Sequence, residues 1–160
     1  MLALDAGVVS DGLMRFYEDL NVGEASVSSP RTLTREEMLE FACRYDPQYF
    51  HIDEQAARQS IFGDVIASGI YTAAIWRQLD HGISKDIRWI CGIAWNDVRW
   101  PIAVRSGDTL RARATCLSKR ESERKPERGI AVMLYEMLNQ NDQIVWTATS
   151  TNLIEKRPAA

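Results

Sequence analysis

The sequence predicts an α+β protein in which an antiparallel β-sheet wraps around one long helix. The first observation is that residues 70–79 are apolar on most sides of a helix, so this helix is expected to be largely buried. The second is that residues 92–154 contain four long segments with strand character, separated by turn signals. Helices followed by a run of neighbouring antiparallel strands are typical of α+β domains.

The composition suits one ordinary folded domain. The chain has 160 residues, of which 46% are hydrophobic and 26% are charged. A chain of this length can bury a sizeable core, and no linker, internal repeat or low-complexity tract divides it. We therefore expect an N-terminal arm at residues 1–15 and a single domain at residues 16–160.

Charge and hydropathy argue against several functional classes. The net charge is −3, and the longest basic run is Lys119-Arg120, so no nucleic-acid-binding basic patch is expected. No apolar stretch approaches the ~20 residues of a membrane-spanning helix, and the first five residues lack signal-peptide features. Cys43, Cys91 and Cys116 lack metal-ligand spacing. We therefore expect a cytoplasmic protein that binds neither nucleic acid nor a membrane and has no metal site.

The first part of the chain predicts a weak strand and then a helix. Residues 26–32 alternate weakly and contain Pro30, which suits an edge strand at best. Thr34 is followed three residues later by Glu37, the capping-box pattern of a helix N-terminus. Pro47 ends this helix, because the residue before a proline is disfavoured in the α conformation.

Two more helices are predicted before the strands begin. Residues 46–53 are expected to form a loop, and Asp53 is expected to cap a short helix over residues 54–59. The long buried helix over residues 70–79 follows, with Gly82 as the residue that terminates it.

The strand pattern is clearest in the second half of the chain. In the segment from residue 109, Leu110 and Ala112 lie on one face and Arg111 on the other. The segment from residue 129 is apolar on both faces, as expected for a central strand. The four predicted strands cover residues 92–100, 109–117, 129–138 and 143–154.

An aspartate and a histidine form the first candidate for chemistry. His51 follows Asp46 by five residues, on a loop that Pro47 makes rigid. A carboxylate and an imidazole held close together can bind one water, remove a proton from it and donate another. This is the requirement for adding water across a double bond. From spacing alone, a loop-tying aspartate and a surface histidine explain the same pattern, and more often.

The start of the long helix is the second candidate. The first N–H groups of a helix lack intrahelical partners and carry partial positive charge. At Ser68-Gly69, a glycine lets a ligand approach such an N–H group, which can then polarise a thioester carbonyl and stabilise an enolate. The alternative is that Ser68 only caps the helix and Gly69 only avoids a clash. The residues by themselves leave both interpretations open.

Three segments resemble the MaoC-like dehydratase family. Tyr45-Asp-Pro-Gln-Tyr-Phe-His-Ile-Asp53 is similar to the hydratase-2 motif Asp-x-Asn-Pro-x-His-x-Asp. Phe62-Gly-Asp-Val-Ile-Ala-Ser-Gly69 resembles the family segment that ends in the glycine starting the central helix. Residues 98–110 resemble the family's strand–Pro–x–Gly-Asp segment. Asp46, His51, Asp53 and Gly69 match the motif positions, whereas Gln48, Tyr49 and Ser68 replace the family's Asn, Pro and a frequent His.

The resemblance implies a hot-dog fold and the reversible hydration of a 2-enoyl thioester to an (R)-3-hydroxyacyl thioester in fatty acid metabolism. Asp46 is expected to act as the base toward water and His51 as the acid that protonates Cα. The N–H of Gly69, with Ser68 beside it, is expected to hold the thioester oxygen, whereas Asp53 is expected to be a helix cap. Coenzyme A is implied as part of the acyl-CoA substrate, with no cofactor and no metal, and the expected assembly is a homodimer or a dimer of dimers.

Two alternatives to hydration remain at this point. One is a hot-dog acyl-CoA thioesterase, in which the central helix often carries a catalytic carboxylate. Residues 70–79 contain none, and Asp80 comes too late in the sequence to sit in the middle of the helix, which favours hydration. The other is a non-catalytic acyl-thioester-binding protein, for which the Asp–His pair has no use. Trp100, Trp146 and Tyr135 are large apolar candidates for the core or for the interface between two copies, and the core is the more frequent place for each of them.

Overall fold

The computed structural model of the protein describes residues 14–158, so nearly all of the N-terminal arm expected at residues 1–15 lies outside the described residues. A short 3-10 helix, Tyr17–Asp19, precedes the main elements. The helices are α1 (Arg35–Tyr45), α2 (Tyr49–Ile52), α3 (Glu54–Gln59) and α4 (Gly69–Ser84). The strands are β1 (Ala25–Val27), β2 (Arg31–Thr32), β3 (Trp89–Arg99), β4 (Thr109–Glu121), β5 (Arg128–Leu138) and β6 (Ile144–Glu155).

The strands form one antiparallel sheet in the order β1-β4-β5-β6-β3, and β2 also pairs with β4. The weak strand predicted around Pro30 is present as two short edge strands, β1 and β2, separated at the proline. The long strand β3 forms the opposite edge and pairs with β6. Its position leaves the other side of β3 without a partner strand among the described residues.

Helix α4 packs its apolar side against the sheet, which confirms the predicted α+β arrangement and hot-dog fold. The ring of Trp76 on this helix stacks on Trp146 with centroids 4.9 Å apart and lies 4.6 Å from the ring of Tyr135. Trp146 and Tyr135 are buried, as predicted. Trp100 is not a core residue, because it follows the last residue of the edge strand and remains 48% exposed.

The predicted helix caps are present. Thr34 Oγ1 accepts a hydrogen bond from the Glu37 N–H at 3.2 Å, and the Glu37 carboxylate accepts one from the Thr34 N–H at 3.3 Å. Asp53 Oδ1 accepts a hydrogen bond from the Ala56 N–H at 3.0 Å and so begins α3. These local patterns fix where α1 and α3 begin.

Two helix predictions were wrong in extent. Helix α4 continues to Ser84, so Gly82 lies inside it and Asp80 lies on the helix, about one turn before its end. Ser84 Oγ donates to Asp80 Oδ2 at 3.1 Å, which ties this last turn together. Residues 46–53 are also not a plain loop, because α2 forms one helical turn within them.

Two of the strands extend beyond their predicted ends. Strand β3 begins at Trp89 and β4 continues to Glu121, in both cases beyond the apolar alternation. In β4, backbone pairing continues through polar and charged residues, such as Lys119 opposite Ala131. The additional residues at the start of β3 are Trp89, Ile90 and Cys91. No helix among the described residues is long and apolar enough to cross a membrane.

Candidate active site

The start of α4 is joined directly to Asp46 by a side-chain hydrogen bond. Ser68 Oγ donates to Asp46 Oδ2 at 2.6 Å and accepts from the Ile70 N–H at 3.2 Å. Ser68 is fully buried. Ser68 therefore caps the helix, as one of the two interpretations expects, and it also contacts the candidate base.

The same carboxylate oxygen faces the candidate acid. His51 Nε2 lies 3.5 Å from Asp46 Oδ2. His51 Nδ1 lies 2.8 Å from the carbonyl oxygen of Ile66. Since a carbonyl oxygen only accepts, Nδ1 carries a proton and donates it, which orients Nε2 toward Asp46.

The one-turn helix α2 explains why His51 is an inward residue and not a surface one. The backbone N–H of His51 donates to the carbonyl oxygen of Gln48 at 2.8 Å, and the N–H of Asp53 donates to the carbonyl oxygen of Tyr49 at 2.9 Å. The turn places the imidazole inward, where it is only 4% exposed. The more frequent alternative, a surface histidine near a loop-tying aspartate, does not describe this geometry.

Hydrogen bonds to both carboxylate oxygens hold the pKa of Asp46 below its ordinary value. The hydroxyl of Ser68 has the largest effect, followed by the Gln48 side-chain amide, which donates to Oδ1 at 2.8 Å. Burial acts in the opposite direction, and the neighbouring His51 lowers the pKa a little further. Asp46 is therefore ionised at neutral pH, and its side chain remains 16% exposed.

Two residues in this site were missed by the sequence analysis. Gln48 was noted only as a departure from the family motif, although its amide holds the carboxylate of Asp46. Trp100 was assigned to the core, but its indole Nε1–H donates to the carbonyl oxygen of Gly69 at 3.0 Å. The polar side chain two residues after Asp46 was a usable signal for Gln48, whereas nothing in the sequence pattern links Trp100 to Gly69.

The four residues singled out from the sequence thus lie together. Asp46 contacts both His51 and Ser68, and Ser68 immediately precedes Gly69, the first residue of α4. This arrangement puts a carboxylate, an imidazole nitrogen and the N-terminal N–H groups of a helix at one place. It can hold a water between two proton-transfer groups, beside donors suited to an oxyanion. No cluster of three or more His, Cys, Asp or Glu side chains suited to a metal ion occurs within residues 14–158.

Several known proteins are similar to this chain in sequence and in fold. The model of the MaoC-like domain family matches residues 21–134. The crystal structure of a MaoC-like dehydratase from Rhodospirillum rubrum is 35% identical, and the match covers 91% of this chain and 99% of that one with a TM-score of 0.83. Protein MaoC of Klebsiella aerogenes is 32% identical over 66% of this chain, which spans only 31% of that protein's length.

A more distant structure shares the fold alone. The (R)-hydratase PhaJ1 from Pseudomonas aeruginosa is 18% identical, with a TM-score of 0.68 over 89% of this chain and 86% of that one.

Proposed function

Because this chain belongs to the MaoC-like domain family, we propose that it catalyses the reversible hydration of a 2-enoyl thioester to an (R)-3-hydroxyacyl thioester. The observation that carries the proposal is the pairing of Asp46 and His51, with Nε2 of the imidazole 3.5 Å from Oδ2 of the carboxylate. One group can accept a proton from water while the other donates a proton to carbon. The family's dehydratase members and the shared fold of an (R)-hydratase support this direction of chemistry.

In the hydration direction, Asp46 removes a proton from a water molecule as the water oxygen bonds to Cβ of the substrate. His51 enters this step protonated at both nitrogens, and its Nε2 donates a proton to Cα. The carbon–carbon double bond becomes a single bond, with the new C–O and C–H bonds on the face that the pair occupies. A syn addition follows, because both groups act from the same side.

The site then returns to its starting state by one proton transfer. Asp46 has gained a proton and His51 has lost one, so moving the proton from Oδ2 to Nε2 restores both groups and leaves one water added. The lowered pKa of Asp46 favours this return, because the carboxyl gives up its proton readily. The bond from Nδ1 to the Ile66 carbonyl keeps the imidazole oriented throughout.

The N–H of Gly69 has the remaining role in the proposal. Negative charge develops on the thioester oxygen when water adds to Cβ. The first N–H groups of α4 have no partner within the helix and lie at its positive end, so they stabilise that charge. The Ser68–Asp46 hydrogen bond keeps this helix start beside the proton-transfer pair.

The first alternative is a thioesterase, for which the structure identifies the candidate carboxylate. Helix α4 does carry a carboxylate, Asp80, which lies past the middle of the helix, as expected, about one turn before its end. Its side chain is only 1% exposed, however, whereas that of Asp46 is 16% exposed and faces an imidazole. The Asp46–His51 pair is therefore the better candidate for chemistry. A thioester-binding protein without activity is the second alternative, and it leaves the pair without a role.

One assay separates these functions. Purified protein is mixed with crotonyl-CoA or with saturated acyl-CoA, and enoyl absorbance and free thiol are followed in parallel. Hydration removes the enoyl absorbance without releasing thiol, whereas a thioesterase releases thiol. Thiol release with the enoyl absorbance unchanged would contradict hydration, and no change in either signal would favour a binding protein.

The edge strand β3 supports the proposed homodimer. One of its edges has no partner strand among the described residues, and the strand carries exposed apolar side chains, including Ile93 at 55% and Trp95 at 49% exposure. Long exposed apolar edges are templates for pairing with another chain and are seldom left uncovered. We expect two copies to pair their β3 edges into one continuous sheet, which the mass measured by sedimentation equilibrium tests.

A further inference from the structure

The peptide group that joins Gly69 to Ile70 is held at both of its polar atoms. Trp100 donates its indole N–H to the carbonyl oxygen of Gly69 at 3.0 Å. Ser68 Oγ accepts the N–H of Ile70 at 3.2 Å. Glycine is the residue with the greatest backbone freedom, so these two bonds restrict a position that would otherwise be loose.

The indole also fills the space that the missing side chain of Gly69 leaves. A Cβ atom at this position would lie 3.0 Å from Nε1 and 3.1 Å from Cε2 of Trp100. A side chain at position 69 would therefore make the indole give way by a few tenths of an ångström. Trp100 is nevertheless half exposed, unlike the fully buried Trp146, so filling the core does not account for its position.

We propose that Trp100 is a positioning residue that fixes the first residue of α4, so that the N–H of Gly69 is directed at the thioester oxygen. This proposal rests on the function proposed above. The N–H and the carbonyl of Gly69 are attached to the same Cα, so an indole that holds the carbonyl also limits the direction of the N–H. Groups fixed before the reaction stabilise a transition state without the cost of ordering them during it.

The chain offers a matched control at the other end of the same helix. Trp89, the first residue of β3, donates its indole N–H to the carbonyl oxygen of Ser84 at 3.1 Å. Trp100, immediately after β3, and Trp89, at its start, thus donate the same kind of hydrogen bond to the first and last residues of α4. Only Trp100 does so beside the Asp46–His51 pair.

The kinetic test compares Trp100→Phe with Trp89→Phe, since each keeps an aromatic ring and removes the N–H. We expect Trp100→Phe to lower kcat for crotonyl-CoA hydration about tenfold with little change in KM, because the lost interaction acts mainly in the transition state. Trp89→Phe should keep kcat within about twofold of the unmodified protein, because its hydrogen bond is remote from the reaction. Similar losses of thermal stability in both variants, together with equal kcat values, would overturn the proposal.

A spectroscopic test does not depend on turnover. Crotonyl-CoA with a ¹³C-labelled thioester carbonyl is bound to the Asp46→Asn variant, and the carbonyl stretch is measured by difference infrared spectroscopy. A hydrogen bond from Gly69 lowers the frequency of this stretch. Adding Trp100→Phe should move the band back toward the value of free crotonyl-CoA, whereas adding Trp89→Phe should leave it in place.

The two tests separate the failure of this proposal from the failure of the proposed function. A band that depends on Trp100 in a protein without hydratase activity would leave the positioning role intact and reject hydration. Hydratase activity with a band that Trp100→Phe does not move would reject the positioning role alone.

Discussion

The two ends of helix α4 contain the same kinds of residue in opposite states. At its N-terminal end, Ser68 donates to Asp46, a carboxylate whose side chain is 16% exposed and whose pKa is lowered by hydrogen bonds. At its C-terminal end, Ser84 donates to Asp80, which is 1% exposed and whose pKa is raised, chiefly by burial. A tryptophan of the β3 region donates its indole N–H to the helix at each end.

The difference shows that access and donors, not residue identity, decide which carboxylate can do chemistry. Asp80 forms an ion pair with Arg77, but its Oδ1 has no hydrogen-bond partner within residues 14–158. Burial raises the pKa of Asp80 by more than the ion pair lowers it. Burial raises the pKa of the Tyr135 phenol, and the charge of Asp80 raises it further. Both carboxylate oxygens of Asp46 instead accept hydrogen bonds, and the imidazole of His51 lies beside one of them. We therefore expect proton transfer at the first end, whereas the second end holds a buried polar contact.

The largest expected effect comes from removing each carboxylate in turn. Asp46→Asn should lower kcat for hydration about a thousandfold, because the amide cannot accept the proton from water. Acyl-CoA affinity, measured by calorimetry, should change little. Asp80→Asn is the matched control and should leave kcat within about threefold. Turnover that survives Asp46→Asn but is lost in Asp80→Asn would place the chemistry at the other end of the helix.

A smaller effect is expected from adding one methyl group at either end of α4. In Gly69→Ala, the new Cβ would lie 3.0 Å from the indole nitrogen of Trp100, so the ring must shift and weaken its hydrogen bond. We expect kcat to fall about tenfold, since the helix start would no longer be held in place. A Cβ on Gly82 meets no atom within 4 Å. Gly82→Ala should therefore raise the free energy of unfolding by about 0.5–1 kcal/mol without changing kcat.

Urea denaturation and steady-state kinetics on both alanine variants check this pair of outcomes. An unchanged kcat in Gly69→Ala would show that the indole contact does not matter for the reaction. A loss of stability in Gly82→Ala would show that the last turn of α4 is under a constraint beyond helix propensity.

The smallest expected effect is on how stability depends on pH. The folded-state pKa of Asp46 is lowered, so its stabilising contribution is present above its ordinary pKa and is lost as the pH falls through the lowered value. The folded-state pKa of Asp80 is raised, so its contribution is present at acidic pH and is lost as the pH rises through the raised value. Asp46→Asn should thus destabilise the protein more at neutral than at acidic pH, and Asp80→Asn should do the reverse.

The measurement is the free energy of unfolding of both variants and the unmodified protein from pH 3 to pH 7. The sign of the difference between each variant and the unmodified protein is compared across this range. Curves that run parallel to that of the unmodified protein would mean that the pKa of the substituted carboxyl does not change on folding.

The sequence by itself determined the features that depend on neighbours along the chain. The capping box at Thr34, the end of α1 before Pro47 and the cap at Asp53 were all predicted, because each involves groups within a few residues of one another. The alternation of apolar residues predicted four strands for the same reason. The five-residue spacing of Asp46 and His51 indicated only a possible pair, and the resemblance of this segment to the MaoC-like family motif favoured it.

Only the tertiary structure decided how these local pieces become a site. Ser68 meets Asp46 across 22 residues and Trp100 meets Gly69 across 31, and contacts at such separations leave no periodic pattern in the sequence. The opposite pKa shifts of Asp46 and Asp80 likewise follow from which carboxylate is buried and which receives donors. Burial and long-range hydrogen bonds exist only once the sheet has folded around α4, so identical residue types acquired different chemistry at its two ends.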